Sequence, residues 1–82
     1  MNGLNFSTGG TRWRVVVITR DMAVNAYVPP LPGAGLLFSA DDGSFRFMSL
    51  DADAVPTLEE LRTRSTQELG SLVHLAPPLS IG

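Results

Sequence analysis

The stretch that decides the fold reads Leu36-Leu37-Phe38-Ser39-Ala40-Asp41-Asp42-Gly43-Ser44-Phe45-Arg46-Phe47-Met48. Because Asp-Gly tolerates positive φ at both central positions of a type I′ turn, the stretch predicts a β-hairpin closed by Asp42-Gly43. A two-residue loop pairs Phe38 with Phe47 and places both on one face with Phe45. A three-residue loop would set Phe38 opposite Arg46 and divide the aromatic rings between faces. We therefore predict the two-residue register.

The residues on either side of the hairpin predict one more strand and one helix. Residues 11–19 are dense in β-branched side chains and predict a strand. Residues 20–35 are rich in proline and predict a linker. Thr57 and Glu60 form a capping-box pattern, which predicts the start of a helix over residues 58–75. The predicted fold is α+β: a three-stranded antiparallel sheet (strand, long Pro-rich linker, hairpin) with one C-terminal helix packed on one face.

The 82-residue chain is small enough that it is expected to form a single domain of marginal stability. We expect residues 1–10 to form a flexible arm, residues 11–76 a β-β-β-α domain, and residues 77–82 an apolar tail. The sequence has no cysteine, so stability must come from packing or from association with another molecule.

A single helix covers a single face of the predicted sheet. We expect it to lie on the face that carries the three aromatic residues of the hairpin together with Trp13, Val15 and Val17. The other face is then uncovered, and its side chains are mostly apolar: Val16, Ile18, Leu37, Met48 and Leu50. Because a contiguous apolar surface is unfavourable in water, this pattern predicts that another molecule covers it.

Composition excludes several classes of partner. The chain has six arginines, no lysine and eight acidic residues, for a net charge of −2, which argues against nucleic-acid binding. Its longest apolar runs are far shorter than the ~20 residues that cross a bilayer, so we expect no membrane insertion. The N-terminus lacks the pattern of a secretory signal, and the absence of cysteine fits a reducing compartment; we predict a cytoplasmic protein.

Residues with catalytic potential are few. His74 is the single histidine and is expected near the C-terminal end of the helix, where a cation is favourable. Asp51 and Asp53 are expected at the end of a strand, a common place for aspartate. No pattern of nucleophile and base, metal ligands or phosphate-binding glycines is present, so we predict no catalytic residue, cofactor or metal. Arg12-Trp13-Arg14 is interpreted as the charged protection of an edge strand.

Four segments together resemble a group of short uncharacterised bacterial proteins: Trp13-Arg14-Val15-Val16, Gly35-Leu36-Leu37-Phe38-Ser39, Gly43-Ser44-Phe45-Arg46-Phe47 and Leu58-Glu59-Glu60-Leu61. Proteins of that group have a strand tryptophan, a hairpin with an arginine after its turn, and a Leu-x-x-Leu helix. The resemblance implies a fold of sheet plus helix, and it implies no activity.

The function predicted from these patterns is that of a small non-catalytic accessory or adaptor subunit. It would dock on a larger protein assembly, including a peripheral position on the cytoplasmic face of a photosynthetic or respiratory membrane complex. An alternative is a homodimeric regulatory or ligand-sensing module, and a third is a small enzyme that uses Asp51, Asp53 or His74. The predicted protein-binding residues are Leu4, Phe6, Val16, Ile18, Met48, Leu79 and Ile81.

Overall fold

The structure is a computed structural model, and it describes residues 3–79. Four antiparallel strands follow one another in chain order across one sheet: β1 (Gly3–Thr8), β2 (Thr11–Ile18), β3 (Gly35–Ala40) and β4 (Phe45–Ser49). The helices are α1 (Arg20–Asn25), α2 (Leu58–Arg62) and α3 (Thr66–Leu75), with a 3-10 turn at Ala52–Ala54. The α+β class and the antiparallel sheet are confirmed, but the prediction of three strands and one helix is wrong.

The additional strand comes from the segment expected to be a flexible arm. Thr8 of β1 pairs with Thr11 of β2 across the two-residue turn Gly9-Gly10, whose φ angles are 58° and 80°. Glycine adopts such positive φ values without steric cost, as a tight hairpin requires. β2 is consequently an interior strand, and the interpretation of Arg12-Trp13-Arg14 as an edge strand is wrong.

The β3–β4 hairpin lies where it was predicted, but its register differs by one residue. Phe38 pairs with Arg46, and Leu37 pairs with Phe47. The three-residue loop places Phe38 on one face of the sheet and Phe47 on the other, so the predicted clustering of the three aromatic rings is wrong. Arg46 shares the face of Phe38, and its Nη1 donates to the carbonyl oxygen of Ala76 at 2.9 Å.

The loop of this hairpin is held by both backbone and side-chain hydrogen bonds. The amide of Gly43 donates to the carbonyl of Ala40 at 3.1 Å, and Gly43 has a φ of 89°, as in a type I turn followed by a left-handed residue. Asp42 Oδ1 accepts from the Ser44 hydroxyl at 2.6 Å and from the Ser44 amide at 2.9 Å. These two bonds favour the charged carboxylate and lower the pKa of Asp42.

The predicted long helix is two helices. The capping box at Thr57 is confirmed: the Glu60 amide donates to Thr57 Oγ1, and the Thr57 amide donates to Glu60 Oε1, each at 3.2 Å. A second capping box joins Ser65 and Glu68 and begins α3. The Ser65 amide and the Arg64 guanidinium both donate to the Glu68 carboxylate, which lowers its pKa. Ser65 therefore begins a new helix where a continuous one was expected.

Each face of the sheet has an apolar core that the chain itself covers. Below α2 and α3 lies one apolar core, with buried residues Phe6, Val15, Leu36, Phe38, Leu61, Leu69, Val73 and Ala76. The opposite face packs against α1 and the proline-rich segment, with buried residues Ile18, Ala23, Leu31, Leu37 and Phe47. The amide of Leu31 donates to the carbonyl of Ala23 at 2.9 Å and fastens this segment to α1. The expectation of an uncovered apolar face is therefore wrong.

Candidate functional site

The residues predicted to bind a partner do not form one surface. Ile18 is fully buried and Phe6 is 9% exposed, so their side chains belong to the two cores. Three of the half-buried residues also lie on opposite faces: Leu4 and Met48 pack below α2 and α3, whereas Val16 packs on the α1 side. One partner therefore cannot contact all of the predicted protein-binding residues on the folded chain.

The C-terminal segment has a place in the fold that its sequence did not indicate. The amide of Phe47 donates to the carbonyl of Pro77 at 3.1 Å, and the amide of Leu79 donates to the carbonyl of Phe45 at 2.9 Å. Leu79, expected in a free tail, packs beside the core on the α1 side. Ile81 lies outside the described residues. The tail thereby pairs with the outer edge of β4.

The candidate catalytic residues are not brought together. Asp51 and Asp53 line a shallow groove of about 820 Å³ beside α1. His74 is exposed on the last turn of α3 and does not line that groove. Among residues 3–79, no group of three His, Cys, Asp or Glu side chains is placed to hold a metal ion.

A second groove, of about 600 Å³, lies between the 3-10 turn and helices α2 and α3. Its charged rim is already used within the chain: Arg64 pairs with Glu68 at 3.2 Å, and Glu60 caps α2. Its apolar floor is formed by core side chains such as Leu36 and Leu61. The side chains that line this groove are therefore engaged in capping and packing the helices.

The two edges of the sheet differ. Part of the β4 edge is paired with the tail, at the bridge between Arg46 and Pro78, but β1 has no strand beyond it among the described residues. Thr8 and Thr11 flank a two-residue turn, so their N–H and C=O groups point toward each other. Because this orientation alternates along an antiparallel pair, the backbone groups of Phe6 and Leu4 also point toward β2. The N–H and C=O groups of Gly3, Asn5 and Ser7 therefore point away from the sheet.

The hydrogen bonds of the next strand agree with this alternation. Arg12 lies opposite Ser7, yet its carbonyl accepts from the amide of Asp41 on the β3 side, at 3.0 Å. No backbone hydrogen bond outside the strand pairs of residues 3–79 involves Gly3, Asn5 or Ser7. The side chains of Asn5 and Ser7 are exposed. Within residues 3–79, the outer side of β1 is thus a row of backbone groups without a backbone partner.

Helix packing holds this edge in place. Phe6 packs edge-to-face on Phe38, with ring centroids 6.3 Å apart and planes at 87°. Gly70 of α3 lies directly against Thr8, where a Cβ would come within 2.8 Å of the Thr8 hydroxyl oxygen. Since β1 is anchored in the core on one face, its open edge is formed before any partner arrives, which lowers the entropic cost of binding.

The other face of β1 is polar and carries positive charge. Arg14 Nη1 donates to Asn5 Oδ1 at 3.1 Å, and the rest of the guanidinium lies over Gly3 in the space that a side chain would fill. A shallow groove of about 480 Å³ opens here, and its lining includes Asn5, Ser7, Arg12, Arg14, Ser39 and Asp41. The ion pairs found among residues 3–79 join Arg62 to Glu59 and Arg64 to Glu68, so neither arginine of the groove belongs to one.

The sequence contains a signal for this edge beyond those that predicted the three-stranded sheet. Gly9-Gly10 is a dipeptide typical of two-residue hairpins, and apolar Leu4 and Phe6 alternate with polar Asn5 and Ser7 before it. That pattern would have predicted β1, and with it a sheet whose first strand is an edge.

Comparison with known proteins adds no identity: no protein-family model, no curated protein and no solved structure matches this chain. The resemblance to short bacterial proteins stays a prediction. In the part of the chain that the structure describes, no helix is both long enough and apolar enough to cross a bilayer.

Hydrogen exchange should show the difference between the two edges. In the free protein we expect the amides of Asn5 and Ser7 to exchange at least about tenfold faster than the amide of Phe6, which points toward β2. The amide of Phe47 should be protected because it donates to Pro77. Amide-resolved NMR exchange measures all four. Slow exchange at Asn5 and Ser7 that persists on dilution would contradict an open β1 edge.

Proposed function

We propose that this chain is a non-catalytic protein-binding domain that takes up an extended segment of a partner protein along the outer edge of β1. The observation that carries the proposal is the contrast between the edges: the tail pairs with part of the β4 edge, whereas no strand pairs with the outer side of β1 among residues 3–79. Strand addition to an exposed sheet edge is a recurrent mode of peptide recognition, in which backbone hydrogen bonds supply the affinity.

The number of available backbone groups supports a modest affinity. Gly3, Asn5 and Ser7 each offer one N–H and one C=O to a new strand. Each hydrogen bond contributes about 0.5–1.5 kcal/mol net, and the cost of association reduces the total. A dissociation constant in the micromolar range or weaker is therefore expected for a short peptide.

The proposal keeps one element of the accessory-subunit function predicted from the sequence and abandons the surface on which that prediction was based. Its partner is still another protein, but the docking surface moves from the second sheet face, which α1 and Leu31 cover, to the β1 edge. A homodimer remains the alternative, because a second copy also has a free β1 edge that could pair antiparallel with the first.

A proline substitution tests the proposal at one backbone donor. The amide of Ser7 points outward, so Ser7→Pro should leave the β1–β2 hydrogen bonds intact while it removes a donor and places a ring at the edge. Against a short peptide that alternates valine and threonine, kept monomeric at the concentration used, we expect binding to weaken about tenfold. Ser7→Ala keeps the amide and should bind as the unchanged protein does.

NMR titration of isotopically labelled protein provides both the affinity and the location. The largest amide shifts should fall on Gly3, Asn5 and Ser7, and melting of both variants should stay close to that of the unchanged chain. Equal binding by Ser7→Pro and Ser7→Ala, or shifts confined to the grooves beside α1 or α3, would contradict binding along β1. Peptide-independent protection of the edge with a concentration-dependent melting temperature would indicate the homodimer instead.

A further inference from the structure

We infer that the β1 edge selects extended segments with acidic side chains on the face opposite α2 and α3; this inference rests on the proposed function. Arg14 carries it. Its guanidinium extends from β2 across Gly3 toward the open edge, and only one of its hydrogen bonds, that to Asn5 Oδ1, is seen among the described residues. A guanidinium has five donors, so several remain for a carboxylate of the added strand.

Gly3 explains why Arg14 reaches the edge. Any larger residue at this position would place its Cβ among the Nε, Cζ and Nη2 atoms of Arg14. Neighbouring strands lie about 4.8 Å apart, so an added strand would be two strand spacings, ~10 Å, from the backbone of Arg14. The long arginine side chain and a glutamate side chain together span that distance, with no side chain of Gly3 between them.

The local charge is opposite to that of the whole molecule. The chain has a net charge of −2, but the groove beside β1 is lined by Arg12 and Arg14 and by a single acidic residue, Asp41. Because neither guanidinium forms an ion pair within residues 3–79, this groove favours a partner that supplies carboxylates.

The same arrangement disfavours a second copy of the chain as the occupant. If two β1 strands paired antiparallel about Asn5, Arg14 of each copy would lie on the same face, opposite its own Asn5. The second copy would add its own Arg14 to this face, and its β1 strand has no acidic residue, so the pairing gathers positive charge without a carboxylate to offset it. An acidic segment supplies that carboxylate.

Matched peptides separate the inference from the function on which it rests. The probes alternate valine with glutamate, glutamine or lysine and are otherwise identical. We expect the glutamate peptide to bind about fivefold more tightly than the glutamine peptide, the range of an exposed ion pair, and the lysine peptide to bind most weakly. The preference should shrink as salt is raised, because exposed charges are screened.

Two variants on the protein locate the preference. Arg14→Gln should bring the glutamate and glutamine peptides to within about twofold of each other. Gly3→Ala should do the same while Arg14 is still present, because its Cβ displaces the flexible end of that side chain. Arg62→Gln removes an exposed arginine of α2 and should leave the preference unchanged.

Each outcome decides one of the two statements. Equal binding of the glutamate and glutamine peptides at the β1 edge by the unchanged chain would overturn the acidic preference and leave strand addition standing. Failure of every peptide, including the valine–threonine probe, to shift the amides of β1 would overturn the proposed function itself. If Arg14→Gln instead promotes self-association and leaves the peptide preference unchanged, then Arg14 prevents two copies from pairing through β1, and the inference is wrong.

Discussion

Gly35→Ala is expected to lower the free energy of unfolding by about 3 kcal/mol or more, because no space exists for a side chain at this residue. Gly35 begins β3 and pairs with both Ile18 and Ser49. An added Cβ would overlap the carbonyl oxygen of Met48 and lie 3.1 Å from the ring of Phe47. Its φ of 157° adds strain for any other residue. The clash involves the backbone of β4, so a change of rotamer does not relieve it.

Gly33→Ala is the matched control two residues earlier. A Cβ at Gly33 has no neighbouring atom within 4 Å. We expect this variant to be unchanged or to be more stable by up to about 1 kcal/mol, through the reduced freedom of the unfolded chain. Urea unfolding followed by circular dichroism gives both values from one experiment. Equal stabilities for the two variants would contradict the contact between Gly35 and β4.

Phe38→Ala is expected to cost about 3–5 kcal/mol, the usual range for a buried aromatic residue. Phe38 is fully buried at the centre of the core below α2 and α3 and packs edge-to-face on Phe6. A domain of this length has a total stability of roughly 4–12 kcal/mol, so the variant should be unfolded or close to unfolding at ambient temperature. Phe38→Leu retains most of the side-chain volume, so its smaller loss stays measurable by urea unfolding.

A double-mutant cycle on the leucine background tests the hairpin register as well. Phe38 and Phe6 touch, so substitutions at these residues should couple by about 0.5–1.5 kcal/mol. Phe47 lies on the other face of the sheet and should not couple with Phe38 beyond about 0.5 kcal/mol. Strong coupling between Phe38 and Phe47 would support the two-residue loop in place of the observed register.

Local signals predict the structure where one short segment decides it. The capping box at Thr57 and Glu60 depends on residues three positions apart, and it begins α2 as predicted. The same signal at Ser65 and Glu68 begins α3, although the apolar pattern continues through both helices. The Gly9-Gly10 turn is likewise a local signal, for the β1–β2 hairpin. Both signals lie within four consecutive residues, so the sequence alone contains them.

The hairpin register could not be decided by local sequence. Asp41-Asp42-Gly43 is compatible with a loop of two residues or of three, and the choice depends on which faces of the sheet are buried. The prediction that Phe38, Phe45 and Phe47 cluster assumes that a single face of the sheet is buried, so that dividing the rings between faces is unfavourable. Because α1 and Leu31 bury the other face, dividing the rings between two cores carries no penalty.

The candidate site depends on tertiary structure to an even greater degree. Neither Arg14 nor Gly3 is distinctive in sequence. They come together because the β1–β2 register pairs Arg14 with Asn5, two residues from Gly3 on the same face of β1. The closing of the β4 edge likewise joins Pro77 to Phe47, thirty residues apart. Such contacts are set by global packing, which no local pattern encodes.

The sequence by itself determined the α+β class, the position of the β3–β4 hairpin and the start of α2, since turn chemistry and capping act over three or four residues. Tertiary structure decided which apolar residues are buried, how the strands are registered and which sheet edge stays open. These properties depend on competition among distant segments for the same surfaces. Here α1 and the proline-rich segment lie on one face, α2 and α3 on the other, and the tail pairs with part of the β4 edge, whereas no strand pairs with the outer side of β1 among residues 3–79.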